Sequence, residues 1–464
     1  MSETTIGRRA FLKRLIGVTA ACAGTASLLN EDALAASHFK KGKRRPNVIL
    51  ILSDDQGTVD ANCYGSEDLY TPNIDALAKR GIRFTQFYVP AAICTPSRGA
   101  LLTGRYPLRN GASDNFKSLK SDEITIANVF KQAGYRTAIF GKWHVGDAID
   151  HGPLSKGFDE FVGFRGGCFD NYTHSGYDFE GKLVCGCNDG GCESSKNGHD
   201  LWRGKERLHE EGTFFPDIMV RETNRFIEEN KDKPFFVYVP FNVPHYPEQG
   251  SEEWKHIYKT KGMVMPRLSY AAFLSTMDEK IGEILDKVRQ LNLTEDTLVI
   301  FQSDHGYSTE ARANGGGGNS GIFRGNKFEV WEGGIRVPCI VSLPGVIPEN
   351  ETRDQVATSM DWLSTCAAIC DIKLPGLSLD GKNIYPILKS SKAPTPHKIL
   401  HWQWGNKTST KWAVREGDWK LVSQNGLFLS NMAVDPSETK NIASQYPKKV
   451  SHLSNLHTQW LACL

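Results

Sequence analysis

Two short polar segments carry residues that could bind a metal ion. Asp54 and Asp55 are adjacent carboxylates, and Asp304 is followed directly by the imidazole of His305. Hard divalent cations take several oxygen ligands, and carboxylates at the ends of neighbouring strands can converge on one ion. An acidic pair taken alone more often caps a helix or faces water. The hypothesis of a metal site therefore depends on the elements that position these segments.

Both polar segments follow apolar runs that are typical of buried parallel strands. Residues 47–52 read Asn-Val-Ile-Leu-Ile-Leu, and residues 297–302 lead directly into Ser303 and Asp304. Such runs predict strands covered on both faces, and open α/β sheets place their sites beyond the carboxyl ends of these strands. Similar runs predict further strands at residues 137–140, 235–240 and 337–343.

Helical patterns lie between these runs, at residues 74–80, 124–133 and 277–291. Alternating strands and helices predict the α/β class, with a large, mainly parallel or mixed sheet sandwiched by helices. After about residue 389 short antiparallel strands are expected at residues 399–404, 411–415 and 419–422, with a last helix after Tyr446. We therefore expect a catalytic domain over residues 36–389 and a smaller α+β subdomain with an antiparallel sheet over residues 390–464.

The most specific motif of the chain begins at Cys94. Residues 94–98 read Cys-Thr-Pro-Ser-Arg and continue through residue 105 as Gly-Ala-Leu-Leu-Thr-Gly-Arg. This stretch resembles the signature at which sulfatases have a cysteine oxidised to formylglycine, an aldehyde side chain. The resemblance covers residues 45 to about 447, because further family motifs occur in family order at residues 54–57, 71–75, 141–144, 303–306, 325–327 and 332–334. The chain is identified as a member of the formylglycine-dependent (type I) sulfatase family of the alkaline phosphatase superfamily, and as a bacterial exported member.

The resemblance implies a set of metal ligands. They are Asp54, Asp55, Asp304 and His305, together with the formylglycine at Cys94. The family usually has asparagine where this chain has His305, and an imidazole nitrogen is a softer ligand than an amide oxygen. The expected cofactor is Ca²⁺, with Mg²⁺ as the alternative.

The resemblance also implies catalytic roles. Arg98 and Lys142 would contact the modified residue, while Lys327 and His245 would face the sulfate and the ester oxygen. His144 would accept a proton in the second half of the reaction. A hydrated aldehyde supplies one hydroxyl to attack sulfur and a second whose deprotonation expels sulfate, a route that a serine lacks.

Three other functions fit parts of the sequence. A cysteine phosphatase needs arginine six residues after its nucleophile, and Ala100 at that position argues against it. A phosphomonoester or phosphonate ester hydrolase of the same superfamily would share the metal carboxylates. A catalytically dead protein that binds sulfated glycans would lack a core residue, and every core position of the family is present.

The N-terminus indicates export. Residues 7–13 read Gly-Arg-Arg-Ala-Phe-Leu-Lys and resemble a twin-arginine motif, followed by an apolar stretch at residues 15–29 and a small-residue cleavage site at residues 33–35. We expect a signal peptide over residues 1–35 and a periplasmic or secreted protein. Export favours a sulfated poly- or oligosaccharide as the substrate, and the formylglycine-generating enzyme is the expected partner in maturation.

Charge and cysteine content limit the remaining classes. The formal net charge is +2, so no global field favours nucleic acid, and no segment predicts a stable membrane span. Four cysteines crowd into one loop, which favours disulfides over a zinc site in an exported protein: Cys168, Cys185, Cys187 and Cys192. Cys366 and Cys370 are expected to be core thiols.

Overall fold

A computed structural model describes residues 45–146, 148–177, 183–184, 198–374 and 376–464. The expected signal peptide and three of the four clustered cysteines (Cys185, Cys187 and Cys192) lie outside these residues. The α-helices are α1 (Pro72–Lys79), α2 (Cys94–Thr103), α3 (Pro107–Asn110), α4 (Ile126–Gln132), α5 (Phe215–Glu229), α6 (Glu252–Thr260), α7 (Arg267–Gln290), α8 (Glu332–Ile335), α9 (Trp362–Ile369), α10 (Tyr385–Lys389) and α11 (Pro447–Ala462).

The strands form a large mixed sheet and a smaller antiparallel one. They are β1 (Asn47–Ser53), β2 (Ile82–Phe84), β3 (Phe87–Tyr88), β4 (Arg136–Lys142), β5 (Glu160–Phe164), β6 (Gly176–Tyr177), β7 (Leu183–Val184), β8 (Trp202–Arg203), β9 (Glu206–Arg207), β10 (Phe235–Pro240), β11 (Thr297–Ser303), β12 (Cys339–Ser342), β13 (Glu351–Arg353), β14 (Ala357–Thr358), β15 (Ile399–Gln403), β16 (Trp412–Glu416), β17 (Trp419–Ser423) and β18 (Leu427–Asn431). Over the described residues the large sheet has ten strands in the order β13-β2-β12-β11-β1-β10-β4-β5-β8-β9.

The centre of the large sheet is parallel, as the sequence predicts. Strand β1 pairs in parallel with β10 and β11, β10 with β4, and β4 with β5. Strand β12 runs antiparallel to β11 and to β2, so the sheet is mixed at that side. The parallel strands end at one edge, and their carboxyl ends bring together residues that are far apart in sequence.

Helices cover both faces of this sheet. On one face, alternate residues of β1 such as Ile49 and Ile51 pack in the main core with residues of α1, α5 and α7. On the other face, Phe130 of α4 packs against Phe236 of β10 with ring centroids 4.9 Å apart. Every residue of β1 is buried, which explains why its sequence is continuously apolar rather than alternating.

Three elements differ from the sequence-based prediction. Helix α7 begins at Arg267, ten residues before the predicted start at 277, because Ser269, Tyr270 and Ser275 are buried and break the expected apolar spacing. Strand β12 is shorter than the predicted run. Strand β18 was not predicted as a strand, because its flanking turn residues dominate the local pattern.

The smaller sheet follows the order β15-β16-β17-β18 and is antiparallel throughout. Val414, Leu421 and Leu429 on its inner face pack with Leu453 of α11. Trp402 of β15 donates a hydrogen bond from Nε1 to the Val89 carbonyl oxygen at 2.8 Å. The antiparallel sheet and last helix expected near the C-terminus are therefore confirmed, and the boundary at residue 389 stays a prediction.

A buried ion network joins the smaller sheet to the region around α8. The Nζ of Lys420 lies 2.8 Å from Glu332 Oε1 and 2.9 Å from Glu438 Oε1, and all three side chains are fully buried. Burial raises the pKa of Glu438 to about 7, with Lys420 opposing the shift. Burial also acts to raise the pKa of Glu332, but Lys420 and Arg336 outweigh it and hold that pKa at about 2.

Replacing Lys420 by methionine is expected to lower the free energy of unfolding by about 3–5 kcal/mol, because it leaves Glu438 buried without its cation and Glu332 with Arg336 alone. Denaturant unfolding of the purified protein measures this. Lys448→Met, at an exposed position of α11, is the matched control and should change the free energy little. Equal stability of the two variants would show that the network does not hold the sheet.

The described cysteines are free thiols. Cys366 and Cys370 are buried in the core, as expected. Cys168 is a free, buried thiol that donates to the Tyr246 carbonyl oxygen at 3.5 Å, and a disulfide among the other three clustered cysteines stays a prediction. No helix among the described residues is long and apolar enough to cross a membrane.

Candidate active site

The candidate site lies beyond the carboxyl ends of the central strands. Asp54 and Asp55 follow β1, Lys142 ends β4, and Asp304 and His305 follow β11. The register of β1 against β11 aligns Ser53 with Ser303, so the two polar segments start side by side. The positions of the acidic segments follow from the parallel pairing that the sequence predicts.

Cys94 is the first residue of α2, and its thiol is buried among the charged groups. Its Sγ lies 3.2 Å from His305 Nε2 and 3.8 Å from both Asp54 Oδ1 and Lys142 Nζ. Helix α2 is buried along its full length, and its first-turn N–H groups and positive dipole end are turned to this cluster. The thiol therefore lies between a carboxylate and an ammonium group at the start of a buried helix.

Arg98, one turn further along α2, contacts both Asp304 and Asp54. Its Nε and Nη2 donate to Asp304 Oδ2 at 3.0 and 2.8 Å, and Nη2 lies 3.3 Å from Asp54 Oδ2. Lys142 Nζ lies 2.6 Å from the same Asp54 oxygen. Burial acts to raise the pKa of Asp54, but Lys142 and Arg98 outweigh it and hold that pKa well below its usual value.

Asp55 takes a left-handed backbone conformation, with φ of 64°. One carboxylate oxygen, Oδ2, accepts from Lys327 Nζ at 2.9 Å, while Oδ1 is buried without a hydrogen-bond partner. Burial raises the pKa of Asp55 to about 6, with Lys327 opposing. A buried carboxylate oxygen without a partner is costly, and a cation bound to Oδ1 would satisfy it.

His305 faces the same space as Cys94. Its Nδ1 bonds to the Gly306 carbonyl oxygen at 2.9 Å, and its Nε2 lies 3.5 Å from Asp55 Oδ1 and 3.6 Å from Asp304 Oδ1. Burial acts to lower the pKa of His305, but Asp304 and Cys94 outweigh it and raise that pKa to about 9. With Nδ1 donating to a carbonyl, Nε2 is the nitrogen that a cation would use.

The donor set fits a divalent cation. One cluster of mutually close ligand atoms, all within 4.8 Å of one another, contains Asp54, Cys94, Asp304 and His305. A second contains Asp54, Asp55, Cys94 and His245. The three carboxylates suit Ca²⁺ or Mg²⁺, and the two imidazoles are the softer members of the set.

The two remaining histidines lie at the border of the cluster. His245 is buried after β10, with Nδ1 2.7 Å from the Tyr246 carbonyl oxygen and Nε2 4.0 Å from Asp55 Oδ2. His144 is half-buried just beyond β4, takes a φ of 51° and leaves its Nδ1 buried without a partner. Burial lowers the pKa of both histidines, and Lys142 lowers it further. Both shifts favour the neutral form of the rings.

Lys327 is buried in the loop before α8. Its Nζ bridges Asp55 Oδ2 and, at 3.5 Å, Glu310 Oε2. Burial acts to lower the pKa of Lys327, but Asp55 outweighs it and raises that pKa well above its usual value. The structure thus brings together all ten residues predicted for the site.

Sequence reasoning missed residues that hold this geometry. Ser97 Oγ donates to the Asp304 carbonyl oxygen at 2.5 Å, and Thr95 Oγ1 donates to the His144 carbonyl oxygen at 2.7 Å. Both residues belong to the motif at residues 94–98, so their position in that motif could have identified them. Glu310, the second partner of Lys327, lies in a loop with no pattern that marks it.

Comparison with known proteins places this arrangement in a class and then in a family. Solved structures with the same fold include the phosphonate monoester hydrolase of Agrobacterium radiobacter (18% identity, TM-score 0.65, covering 90% of this chain and 96% of that one). At 18% identity this likeness shows the fold alone, and membership of the alkaline phosphatase superfamily follows from the sulfatase family match. Residues 46–372 match the sulfatase family model and residues 318–461 that of the N-sulphoglucosamine sulphohydrolase C-terminal region.

The chain belongs to the sulfatase family and is a sulfuric ester hydrolase. It is 34% identical to human arylsulfatase A (Homo sapiens) over 421 residues, covering 85% of this chain and 78% of the relative. It is 29% identical to mouse steryl-sulfatase (Mus musculus), covering 85% and 74%. The crystal structure of Ps i-CgsB in complex with k-i-k-neocarrahexaose has a TM-score of 0.81 at 28% identity, covering 90% of this chain and 93% of that one.

Proposed function

We propose that this sulfatase removes sulfate from a sulfated poly- or oligosaccharide, with Cys94 matured to formylglycine and a divalent cation, Ca²⁺ in preference to Mg²⁺, bound beside it. The main support is the position of Cys94. The Sγ of Cys94 is buried at the start of α2 within 3.8 Å of Asp54, Lys142 and His305, at the meeting point of an anion site and a set of metal ligands.

Formylglycine requires an external enzyme. Cys94 is 1% exposed in the folded chain, so a formylglycine-generating enzyme must reach it before α2 packs. Formylglycine would supply a hydrated aldehyde as the nucleophile, and a bound cation would supply Lewis-acid charge stabilisation beside it. Asp54, Asp55, Asp304 and His305 would hold that cation.

The basic side chains bind the sulfate group. Lys142, Lys327 and Arg98 place three buried cations around Cys94, and buried charges stabilise an anion far more strongly than exposed ones. Each cation is held in place by a carboxylate, so its position is fixed before the substrate arrives. This fixed arrangement favours the transition state, in which negative charge moves onto the leaving oxygen.

The two border histidines move protons. Burial keeps His245 neutral in the free enzyme, and the negative charge of a bound sulfate ester raises its affinity for a proton. His245 then donates from Nε2 to the leaving oxygen as the general acid. His144, neutral and with an unpartnered Nδ1, accepts the proton that must leave residue 94 before sulfate is released.

Removing the cation is expected to abolish turnover. Treatment with a calcium chelator should lower kcat for sulfate release by more than about 100-fold, because several kcal/mol of charge stabilisation is lost. Adding Ca²⁺ should restore the rate more fully than Mg²⁺. Activity that persists after chelation, with no metal in elemental analysis, would exclude a catalytic cation.

A carbohydrate substrate is supported by the structural relatives. Ps i-CgsB was solved in complex with k-i-k-neocarrahexaose. A relative at 26% identity and TM-score 0.73, covering 90% of this chain and all of that one, comes from a study of glycosaminoglycan metabolism by Bacteroides thetaiotaomicron. Export over residues 1–35 to the periplasm or the medium would place the enzyme where such polymers are found.

A substrate panel tests this proposal. Sulfate release is measured from carrageenan and glycosaminoglycan oligosaccharides, with an aryl sulfate and a phosphonate monoester as comparisons. The expected result is a kcat/KM at least about 10-fold higher for one sulfated oligosaccharide than for the aryl sulfate. A preference for the aryl sulfate over every oligosaccharide would contradict the carbohydrate assignment, and a preference for the phosphonate would favour the related hydrolase class.

A further inference from the structure

A second cluster of ligand-type side chains lies outside the active site. His199, His209 and Glu211 place their ligand atoms within 4.8 Å of one another. His199 precedes β8 and the other two follow β9, so they meet at the base of the β8–β9 hairpin on the edge of the large sheet. The side chain of His199 is 7% exposed, while those of His209 and Glu211 are 65% and 50% exposed.

The two imidazoles converge on one carboxylate oxygen. Nδ1 of His199 lies 3.3 Å and Nδ1 of His209 lies 2.9 Å from the same oxygen, Oε1 of Glu211. The two rings are stacked, with centroids 4.5 Å apart and an interplanar angle of 22°. Both nitrogens therefore approach the oxygen from the same side.

The hydrogen bonding of His199 makes this contact unfavourable without a cation. Its Nε2 lies 2.9 Å from the Leu208 carbonyl oxygen, which can only accept, so Nε2 carries the proton. An imidazole with one proton then turns the Nδ1 lone pair toward a carboxylate oxygen. A metal ion placed between Nδ1 of His199 and Oε1 of Glu211 would bond to both atoms and remove this repulsion.

We propose that His199, His209 and Glu211 form a second metal site, for a borderline divalent transition ion such as Zn²⁺. Two imidazole nitrogens and one carboxylate oxygen are typical zinc donors. Tetrahedral zinc with bonds of about 2.0–2.1 Å separates its ligand atoms by about 3.3 Å. The His199 contact has that length, and the exposed His209 side chain can rotate to match it.

The surroundings favour a nitrogen-bound ion over a hard one. The backbone contact from Nε2 of His199 to Leu208 fixes the ring with Nδ1 toward the site, as ligating histidines require. Arg207 donates a hydrogen bond to the His199 carbonyl oxygen, and two imidazole nitrogens suit a borderline ion better than Ca²⁺, which takes oxygen ligands. Zinc bound here would join the two ends of the β8–β9 hairpin.

Zinc binding to the full-length, calcium-saturated enzyme tests the site. Excess Ca²⁺ occupies the carboxylate-rich centre, and Zn²⁺ is titrated while its stoichiometry is measured by calorimetry and elemental analysis. His209→Ala and Glu211→Gln remove exposed ligands without opening the core. His452→Ala is the matched control, because His452 also contacts a glutamate, Glu416 at 3.0 Å, but has no second imidazole.

We expect the wild type and His452→Ala to bind one equivalent of Zn²⁺ that both ligand variants lose or bind at least about 10-fold more weakly. Zinc should also raise the thermal midpoint of the first two proteins only. Equal zinc stoichiometry and affinity in all four proteins would overturn the proposal. Sulfate release should be unchanged in His209→Ala, so either outcome is independent of the function proposed for Cys94.

Discussion

Replacing Cys94 by alanine is expected to lower kcat for sulfate ester hydrolysis by about 10⁴-fold or more, the range seen when a covalent nucleophile is removed. The side chain contacts Asp54, Lys142 and His305 together, and none of these three groups can form the covalent intermediate proposed at residue 94. Steady-state kinetics with a sulfated oligosaccharide and an aryl sulfate measure the loss. Cys463→Ala, at an exposed free thiol, is the control and should keep wild-type kinetics.

Cys94→Ser separates attack from turnover. A serine hydroxyl could take sulfate from the ester, but it has no second hydroxyl whose deprotonation expels sulfate. The expected result is at most one equivalent of alcohol released per enzyme, followed by arrest with sulfate attached to residue 94. Multiple turnovers by this variant would contradict the role given to a hydrated aldehyde.

Asp54→Asn is expected to lower kcat/KM by at least about 10³-fold, the scale of losing one preorganised electrostatic group at a reacting centre. The carboxylate is fully buried and pairs with Lys142 at 2.6 Å and Arg98 at 3.3 Å. The amide keeps the shape but removes the charge that holds both cations and would bind the metal. The variant should also retain less bound calcium than the wild type.

The stability of the same variant distinguishes a local effect from misfolding. Two buried cations would lose part of their counter-charge, so the thermal midpoint should fall while the unfolding transition stays cooperative. Asp68→Asn changes an exposed aspartate that pairs with Arg267 and should leave kcat/KM unchanged. Wild-type kinetics for Asp54→Asn would exclude this aspartate from the site.

The sequence predicts the core of the fold well because the central strands are continuously apolar. Strand β10 has the predicted bounds, and β11 extends one residue further. Parallel pairing then brings Asp54 and Asp304 to one edge without further information. The start of α7 could not be predicted, because its first turns bury polar side chains that find partners only in the folded chain, as Tyr270 does with Asp60 at 2.9 Å.

The loop residues of the site depended on motif resemblance. Nothing in the strand pattern places Lys327 or His245 beside Asp55, because both follow irregular segments whose path is set by tertiary contacts. Glu310 and the cluster around His199 have no local signal at all. Sequence periodicity thus fixes the strand ends, whereas the partners of buried loop side chains emerge only from the packed structure.

The most direct test of the account is the mass of the tryptic peptide over residues 84–98, in which Cys94 is the only cysteine. The protein is produced together with a formylglycine-generating enzyme, and sulfate release is measured on the same sample. Conversion of the thiol to an aldehyde predicts a peptide about 18 Da lighter than the cysteine form, in a proportion that tracks activity. An unmodified thiol in protein that hydrolyses sulfate esters at full rate would contradict the account.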